Sequence, residues 1–193
     1  MGEKRELPEL ASIRLIEPGP LALLTSRHRS ADNVMTAAWM LPVSMSPPLV
    51  GVAIHPGRLT HEYVSKSEFF ALNIPLIDLL AAVHRCGLES GREGDKFERA
   101  GLTPFDAARL DVPLIEECVA HIECGVIARS QFGDHDLFIG QPLAVSADDE
   151  AFAERWLVET DAGRVLHHLR ADHYAALSTS YRAALPTDDE EQE

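Results

Sequence analysis

Basic residues are scarce in this chain. Its 193 residues include 17 lysines and arginines against 31 aspartates and glutamates, so the formal net charge is −14. Neither the phosphates of nucleic acid nor an anionic lipid surface attracts such a protein, which argues against both as partners. An anionic ligand would need basic residues gathered locally at its site. Part of the acidity lies in residues 186–193, which we predict to be a disordered acidic tail.

Cysteine is also rare, and its spacing argues against two common uses. Cys86, Cys118 and Cys124 are odd in number and contain no C-x-x-C pair, so neither a disulfide framework nor a zinc knuckle is predicted. We expect buried thiols instead. No apolar stretch approaches the ~20 residues that span a membrane, and no apolar run typical of a signal peptide follows the charged start MGEKRELPEL. These absences favour a cytoplasmic protein.

The usual nucleotide-binding and hydrolase motifs are missing. The chain has no G-x-G-x-x-G, no G-x-x-x-x-G-K-[ST] and no G-x-S-x-G, so no catalytic nucleophile is predicted. His167, His168 and His173 fall outside the common zinc spacings, so no metal site is predicted. Strands and helices do not alternate regularly, which argues against a doubly wound fold.

The pattern that is present is mainly β. The predicted strands are 21–27, 34–40, 49–54, 68–74 and a long hairpin that alternates over 118–128, turns at 133–134 and resumes at 137–139. The predicted helices are 60–64 with Thr60 as its cap, 75–87 between Pro75 and Gly87, and 95–100. Residues 42–44 read as a rigid corner, and 161–177 mix helix and loop signals. We predict an antiparallel barrel with helices outside it, as one domain over residues 1–185.

A cluster at a predicted helix start could bind phosphate. Arg58, Thr60 and His61 would bring a hydroxyl, free N–H groups, the helix dipole and positive charge to one place. The alternative is a plain helix cap with a solvated arginine. Lys96 follows a glycine-rich loop and could reach across a cleft, or it could lie on a solvated helix face.

Two aromatic side chains could contact a flat ligand. Trp39 lies on a strand beside the small residues Thr36 and Ala37, which would let a ring approach the backbone, although a tryptophan there could equally belong to the core. His135 lies at the hairpin turn between two aspartates, where it could contact a ligand or only its neighbours.

The order of these signals is more specific than any one of them. The ordered motifs are Asn33-x-x-Thr36-x-x-Trp39, Pro42-Val43-Ser44, Pro47-Pro48, Arg58-x-Thr60, Asn73-Ile74-Pro75, Cys86-Gly87, Ser90-Gly91-Arg92, Asp95-Lys96-Phe97, Pro113 to Cys118, and Gly133-Asp134-His135. Together they resemble the flavin reductase-like family, the FMN-binding split barrels, and within it the flavoredoxin branch. The resemblance runs from about Pro18 to Asp149, with a fainter echo at 165–174.

The resemblance implies a fold, a cofactor and a site. It implies a mainly β, six-stranded antiparallel split β-barrel with short peripheral helices, which binds FMN non-covalently and forms a homodimer with the flavin near the subunit interface. The FMN contacts that it implies are Asn33, Trp39, Thr60, Lys96 and His135, with Thr36, Ala37 and Ser44 lining the pocket and Arg58 on the phosphate side. His168 stands where related chains carry an aromatic residue near the flavin, with Tyr174 nearby.

Three functions fit this resemblance. The leading expectation is an oxidoreductase that passes electrons from NADH or NADPH to FMN, with no residue that selects one dinucleotide over the other. The second is an electron carrier that keeps its FMN and docks on a redox protein partner without NAD(P)H turnover. The third is a flavin-binding module without catalysis. In the first two the flavin supplies the redox chemistry, and the protein supplies position and electrostatics.

Overall fold

The computed structural model describes residues 4 and 6–183. The predicted tail at 186–193 lies outside these residues. The four helices described are α1 (Ala11–Ile16), α2 (Leu59–Ser67), α3 (Leu80–Leu88) and α4 (Lys96–Ala100). The strands are β1 (Gly19–Pro20), β2 (Ala22–His28), β3 (Ala31–Ala37), β4 (Met40–Met45), β5 (Pro48–Ile54), β6 (Phe69–Ile74), β7 (Pro104–Asp106), β8 (Pro113–Ile115), β9 (Ala120–Phe132), β10 (His135–Ala147), β11 (Leu166–Arg170) and β12 (His173–Ala176).

Seven strands form one antiparallel sheet in the order β3-β2-β6-β9-β10-β5-β4. Its two edge strands, β3 and β4, are joined in the chain by only Ala38 and Trp39. Since consecutive Cα atoms are about 3.8 Å apart, this link holds the facing ends of β3 and β4 within about 11 Å. The sheet must therefore curl until its edges nearly meet. The predicted split barrel is confirmed, with seven strands in this sheet where six were expected.

The additional strand is the segment predicted as a rigid corner. Pro42 and Ser44 both lie within β4, and the register with β5 shifts between them. The corner prediction was wrong because proline is tolerated in an edge strand, where its missing N–H costs no ladder bond, and a bulge absorbs the irregularity.

The run LALL at the start of β2 is buried on both faces. Leu21 and Leu23 pack in a cluster with residues of α3 and α4, whereas Ala22 and Leu24 point into the barrel with residues such as Phe70. Successive residues of a strand face opposite sides of the sheet. This part of the chain is covered by helices on one side and fills the barrel on the other, so it is apolar at successive positions.

The helix starts differ from the predicted ones. Helix α2 begins at Leu59 with Arg58 as its N-cap and no side-chain cap, so Thr60 is not the capping residue. Thr60 lies inside the first turn, and its hydroxyl accepts a hydrogen bond from the side chain of Asn33. Pro75 does not open a helix: the Pro75 carbonyl accepts a bond from Leu166 N, and α3 starts only at Leu80 after a 3₁₀ turn over 77–79.

The other local predictions agree with the structure. The long hairpin is confirmed as β9 and β10, and Gly133 turns it with a φ of 62°, a value that glycine adopts freely. The three cysteines are free and buried, as expected. Residues 161–177 contain a 3₁₀ turn followed by β11 and β12, and β11 pairs with both β1 and β12 in a three-stranded sheet. No helix among the described residues is long and apolar enough to cross a membrane.

Candidate functional site

A cavity of about 680 Å³ lies between β3, the start of α2, the α3–α4 loop and the tip of the β9–β10 hairpin. This volume suits a cofactor or another small molecule. Nine of the eleven residues predicted for the site line it. They are Asn33, Thr36, Ala37, Trp39, Arg58, Thr60, Lys96, His135 and His168. The fold thus brings together residues that are as far as 135 positions apart in the chain.

Lys96 supplies a buried positive charge to this cavity. Its side chain is only 5% exposed, and its Nζ donates a 2.6 Å hydrogen bond to the carbonyl of Cys86. Burial lowers the pKa of Lys96, and the nearby charge of Arg58 lowers it further. An ammonium has three protons to donate, and only this one acceptor contacts it within the described part of the chain. The arrangement is suited to an anionic ligand.

The first turn of α2 lies at the same end of the cavity. Thr60 is buried there, and its hydroxyl accepts a 2.7 Å hydrogen bond from Nδ2 of the buried Asn33. The N–H groups of a first helical turn have no intrahelical acceptor and carry the positive end of the helix dipole. With Lys96 and Arg58 they form what we call the cation end of the cavity.

Gly91 allows the α3–α4 loop to close over this end. A Cβ on Gly91 would clash with Oδ1 of Asn33 and lie 2.9 Å from Cδ2 of Leu59. Only a residue without a side chain lets the loop backbone approach Asn33 so closely. The glycine-rich loop therefore shapes the cation end as much as the polar side chains do.

Aromatic rings gather at the other end. The rings of Trp39 and His135 lie 4.7 Å apart, and His55 meets His135 edge-on at 5.3 Å. Nδ1 of His135 lies 2.7 Å from the carboxylate of Asp134, which also explains why the pKa of Asp134 is lowered. Trp39 keeps 40% of its surface exposed, so the indole is a wall and not part of the core. We call this the ring end.

Thr36 lines the cavity, but its hydroxyl proton is already used in a hydrogen bond within the protein. Its Oγ1 donates a 2.5 Å hydrogen bond to the carbonyl of Val83 in α3, and Gly87 packs against it. The predicted role of Thr36 as a lining residue is met by its methyl face and by its link to α3.

Two predicted residues do not line the cavity. Ser44 lies in β4 opposite Leu49, on the outer edge of the sheet. His61 points from α2 toward the hairpin, where its Nε2 lies 2.8 Å from Oδ2 of Asp136 and its ring packs edge-on against Phe138. The neighbours of a first-turn residue point in different directions around a helix, so Thr60 can face the cavity while His61 does not.

His168 lies at the ring end together with residues that sequence reasoning missed. Nε2 of His168 is 3.3 Å from the carbonyl of Ala171, and its ring packs against Tyr174 at 5.3 Å. Tyr174 lies beside His168 as expected, and its hydroxyl is 3.0 Å from Nδ1 of His84. Glu17, His55 and Cys86 also line the cavity and were not predicted. Glu17 has no local signal, because it is brought in by the chain's path from α1 to β1.

A second cavity, of about 540 Å³, adjoins the ring end. The residues that line both cavities are Glu17, Ala38, Trp39 and Ala53. The remaining walls of the second cavity are mostly apolar and come from α1, β1 and β4, with Ile13, Ile16 and Leu41 among them. Glu17 is the only charged residue in this lining among the described residues.

Comparison with known proteins decides the family. The family model described as the flavin reductase like domain matches residues 14–176, a range that contains every residue named above as lining the first cavity. The chain belongs to the flavin reductase-like family. The match includes both the 18–149 region and the echo at 165–174.

Three similar proteins illustrate this membership. A protein of Archaeoglobus fulgidus is 42% identical over 117 residues, which are 61% of this chain and 66% of that protein. The FMN-binding protein of Thermus thermophilus, solved with bound p-hydroxybenzaldehyde, superposes with a TM-score of 0.81 at 27% identity, covering 95% of this chain and 100% of that one. The flavoredoxin of Methanosarcina acetivorans has a TM-score of 0.83 at 24% identity over 99% and 100% of the two chains, and shows the same fold.

Proposed function

We propose that this flavin reductase-like protein binds FMN non-covalently and passes electrons from NAD(P)H, or from a protein donor, through that flavin. The observation that carries the proposal is the polarity of the cavity. A buried ammonium, Lys96, and the first turn of α2 lie at one end, and Trp39 and His135 form the other. FMN has the matching polarity, an anionic phosphate at one end and a flat ring at the other. When bound, FMN supplies the redox chemistry.

Asn33, Thr60, Arg58 and Lys96 are proposed to hold the phosphate side. A carboxylate or phosphate at a helix start gains from both free N–H groups and the dipole. Trp39, Ala37 and His135 are proposed to flank the ring. The single cation end favours FMN over FAD, whose pyrophosphate would need a second anion site.

The visible spectrum of the purified protein tests the cofactor. We expect a bound flavin that chromatographs as FMN after release from the denatured protein. FAD, haem or an apoprotein that takes up no FMN would contradict the proposal. Stopped-flow mixing with NADH and NADPH then separates the reductase from the alternatives. Rapid bleaching of the flavin supports a reductase, whereas bound FMN without bleaching supports an electron carrier or a binding module.

The carrier is the second candidate because the surface is strongly acidic. A net charge of −14 would attract a basic redox partner and raise its association rate.

We further propose a homodimer. The edge strand β4 exposes Val43 and Met45, and Met45 is 95% exposed. Such apolar exposure favours coverage by a second copy.

A further inference from the structure

Glu17 occupies an unusual place in the molecule. It follows α1 directly and is the only charged residue among the described residues that lines both cavities. Its side chain keeps only 16% of its surface exposed. A carboxylate with this little exposure gains from hydrogen-bond donors, and the groups around it therefore indicate what the junction of the two cavities can bind.

The described residues do not supply such donors. The nearest is Nδ1 of His168, which lies 3.7 Å from Oε1 of Glu17, too far for a hydrogen bond. Nε2 of His168 faces the carbonyl of Ala171 at 3.3 Å, and a carbonyl can only accept, so Nε2 is the donor there. Nδ1 is buried and has no hydrogen-bond partner.

The other polar groups near this place are already engaged. The Tyr174 hydroxyl is 3.0 Å from Nδ1 of His84. Glu89, the other carboxylate that lines the first cavity, is paired with Arg85 at 3.0 Å and with Arg99 at 3.5 Å. Two guanidinium groups thus offset the charge of Glu89, although its Oε2 has no hydrogen bond, whereas no arginine or lysine among the described residues pairs with Glu17. The ligand group that completes this junction must be a donor, an N–H or O–H group.

The junction lies far from the cation end. Asn33, at the cation end, and Ala38, at the junction, are five positions apart along one extended segment, or about 16 Å at 3.3 Å per residue. A second ligand at the junction is thus next to the ring end and away from the proposed phosphate site. The apolar walls given by Ile13, Ile16 and Leu41 suit a flat, uncharged ring, and the carboxylate disfavours an anionic one.

We propose that Glu17 accepts a hydrogen bond from the carboxamide NH₂ of the nicotinamide of NAD(P)H, with the pyridine ring against the apolar wall beside Trp39. The carboxamide is the donor group that this dinucleotide carries on its flat ring. His168 is a positioning residue, whose Nδ1 lies 3.7 Å from one oxygen of the carboxylate. This inference rests on the proposed function and assigns the subsite of its electron donor.

The test compares two dinucleotides on the FMN-loaded protein. NAD⁺ carries the carboxamide, and its 3-acetylpyridine analogue replaces that group by an acetyl group without N–H. Dissociation constants are measured by calorimetry, which needs no turnover. We expect the wild type to bind NAD⁺ about tenfold more tightly, as one hydrogen bond to a charged group allows. Glu17→Ala should bind both equally, because the acceptor is gone.

Controls separate this inference from the proposed function. Glu116→Ala removes an exposed carboxylate outside both cavities and should keep the tenfold preference. The Glu17→Ala apoprotein is first titrated with FMN, so that both proteins are compared fully loaded. Equal binding of the two dinucleotides by the wild type, binding of neither, or a preference that survives in Glu17→Ala would overturn the inference while leaving bound FMN unaffected. A wild type that takes up no FMN would instead refute the proposed function.

Discussion

The side-chain amide of Asn33 donates a 2.7 Å hydrogen bond to the hydroxyl of Thr60, and both side chains are buried. This bond joins β3, at the edge of the barrel, to the first turn of α2. It therefore fixes the direction in which the helix start faces the cavity. The cation end depends on this contact, since the free N–H groups of α2 must point at the ligand.

Removing the Thr60 hydroxyl should affect both stability and FMN. In Thr60→Val the shape is kept but Nδ2 of Asn33 loses its buried acceptor, so we expect a loss of about 1–3 kcal/mol in the free energy of unfolding. FMN affinity should fall because Thr60 is a proposed contact. Urea unfolding and FMN titration measure the two effects. Thr60→Ser keeps the hydroxyl and should stay near wild type in both; a Thr60→Val protein with wild-type FMN affinity would refute the contact.

Lys96→Met should weaken FMN binding while the protein stays folded. The variant loses a charged hydrogen bond worth about 1–3 kcal/mol, which is up to about a hundredfold in affinity. Fluorescence titration of the apoprotein is the measurement. Lys96→Arg keeps the charge and should retain part of the affinity, whereas unchanged binding in Lys96→Met would place the phosphate elsewhere.

The same lysine predicts a pH dependence of apoprotein stability. Burial lowers the pKa of Lys96 below its ordinary 10.5, so between the lowered and the ordinary value the unfolded chain binds more protons than the folded one. Stability from this group therefore rises as the pH increases through that window. As the pH is raised toward 10.5, the free energy of unfolding of wild type should increase relative to that of Lys96→Met. A constant difference between the two proteins would mean that Lys96 is not desolvated.

Gly91→Ala should disturb the cation end. The new Cβ would clash with Asn33 and press on Leu59, so the loop must move away from α2. We expect FMN affinity to fall about tenfold or more, since a loss of about 1.4 kcal/mol in binding free energy already corresponds to a tenfold change. Gly125→Ala in β9 is the matched control, because its Cβ would meet Leu143 at an ordinary 3.4 Å. Equal FMN affinity in the two variants would argue against this role of the loop.

His135→Asn should lower the midpoint potential of the bound FMN. A hydrogen-bond donor or positive charge beside the ring end favours the reduced ring, which gains negative charge. A redox titration of the two proteins measures this. His55→Asn, whose ring meets that of His135 edge-on, should change the potential less. Identical potentials for wild type and His135→Asn would show that His135 does not act on the flavin.

A charge on β4 should break the proposed dimer. Leu41, Val43 and Met45 are exposed at every second position of this edge strand, and Met45 is 95% exposed. A stable interface buries well over about 1,000 Å² and tolerates no unpaired charge at its centre. Sedimentation equilibrium should give a dimer for wild type and a monomer for Met45→Glu. Leu88→Glu, at an exposed apolar residue at the end of α3, serves as the control. A wild-type monomer at micromolar concentration would refute the dimer.

Local patterns determined much of this molecule. Alternation in β9 and β10, the turn at Gly133 and the apolar run of β2 are properties of neighbouring residues, so the sequence alone predicted a β-rich barrel with short helices. The ordered motifs also gave the family and nine of the cavity residues. The local signals can be read from the sequence because backbone geometry places residues two to five positions apart on one face of an element or in one turn.

Only the tertiary structure decided which side chains share a space. Thr60 is read as a helix cap until Asn33, 27 residues earlier, is seen to bind its hydroxyl. His61 contacts Asp136, 75 residues later, and its side chain therefore points away from the cavity. Glu17 belongs to no recognisable sequence pattern. It lies at the site because β1 pairs with β11, which contains His168. Contacts between distant residues depend on the packing of whole elements, and no short stretch of sequence contains that information.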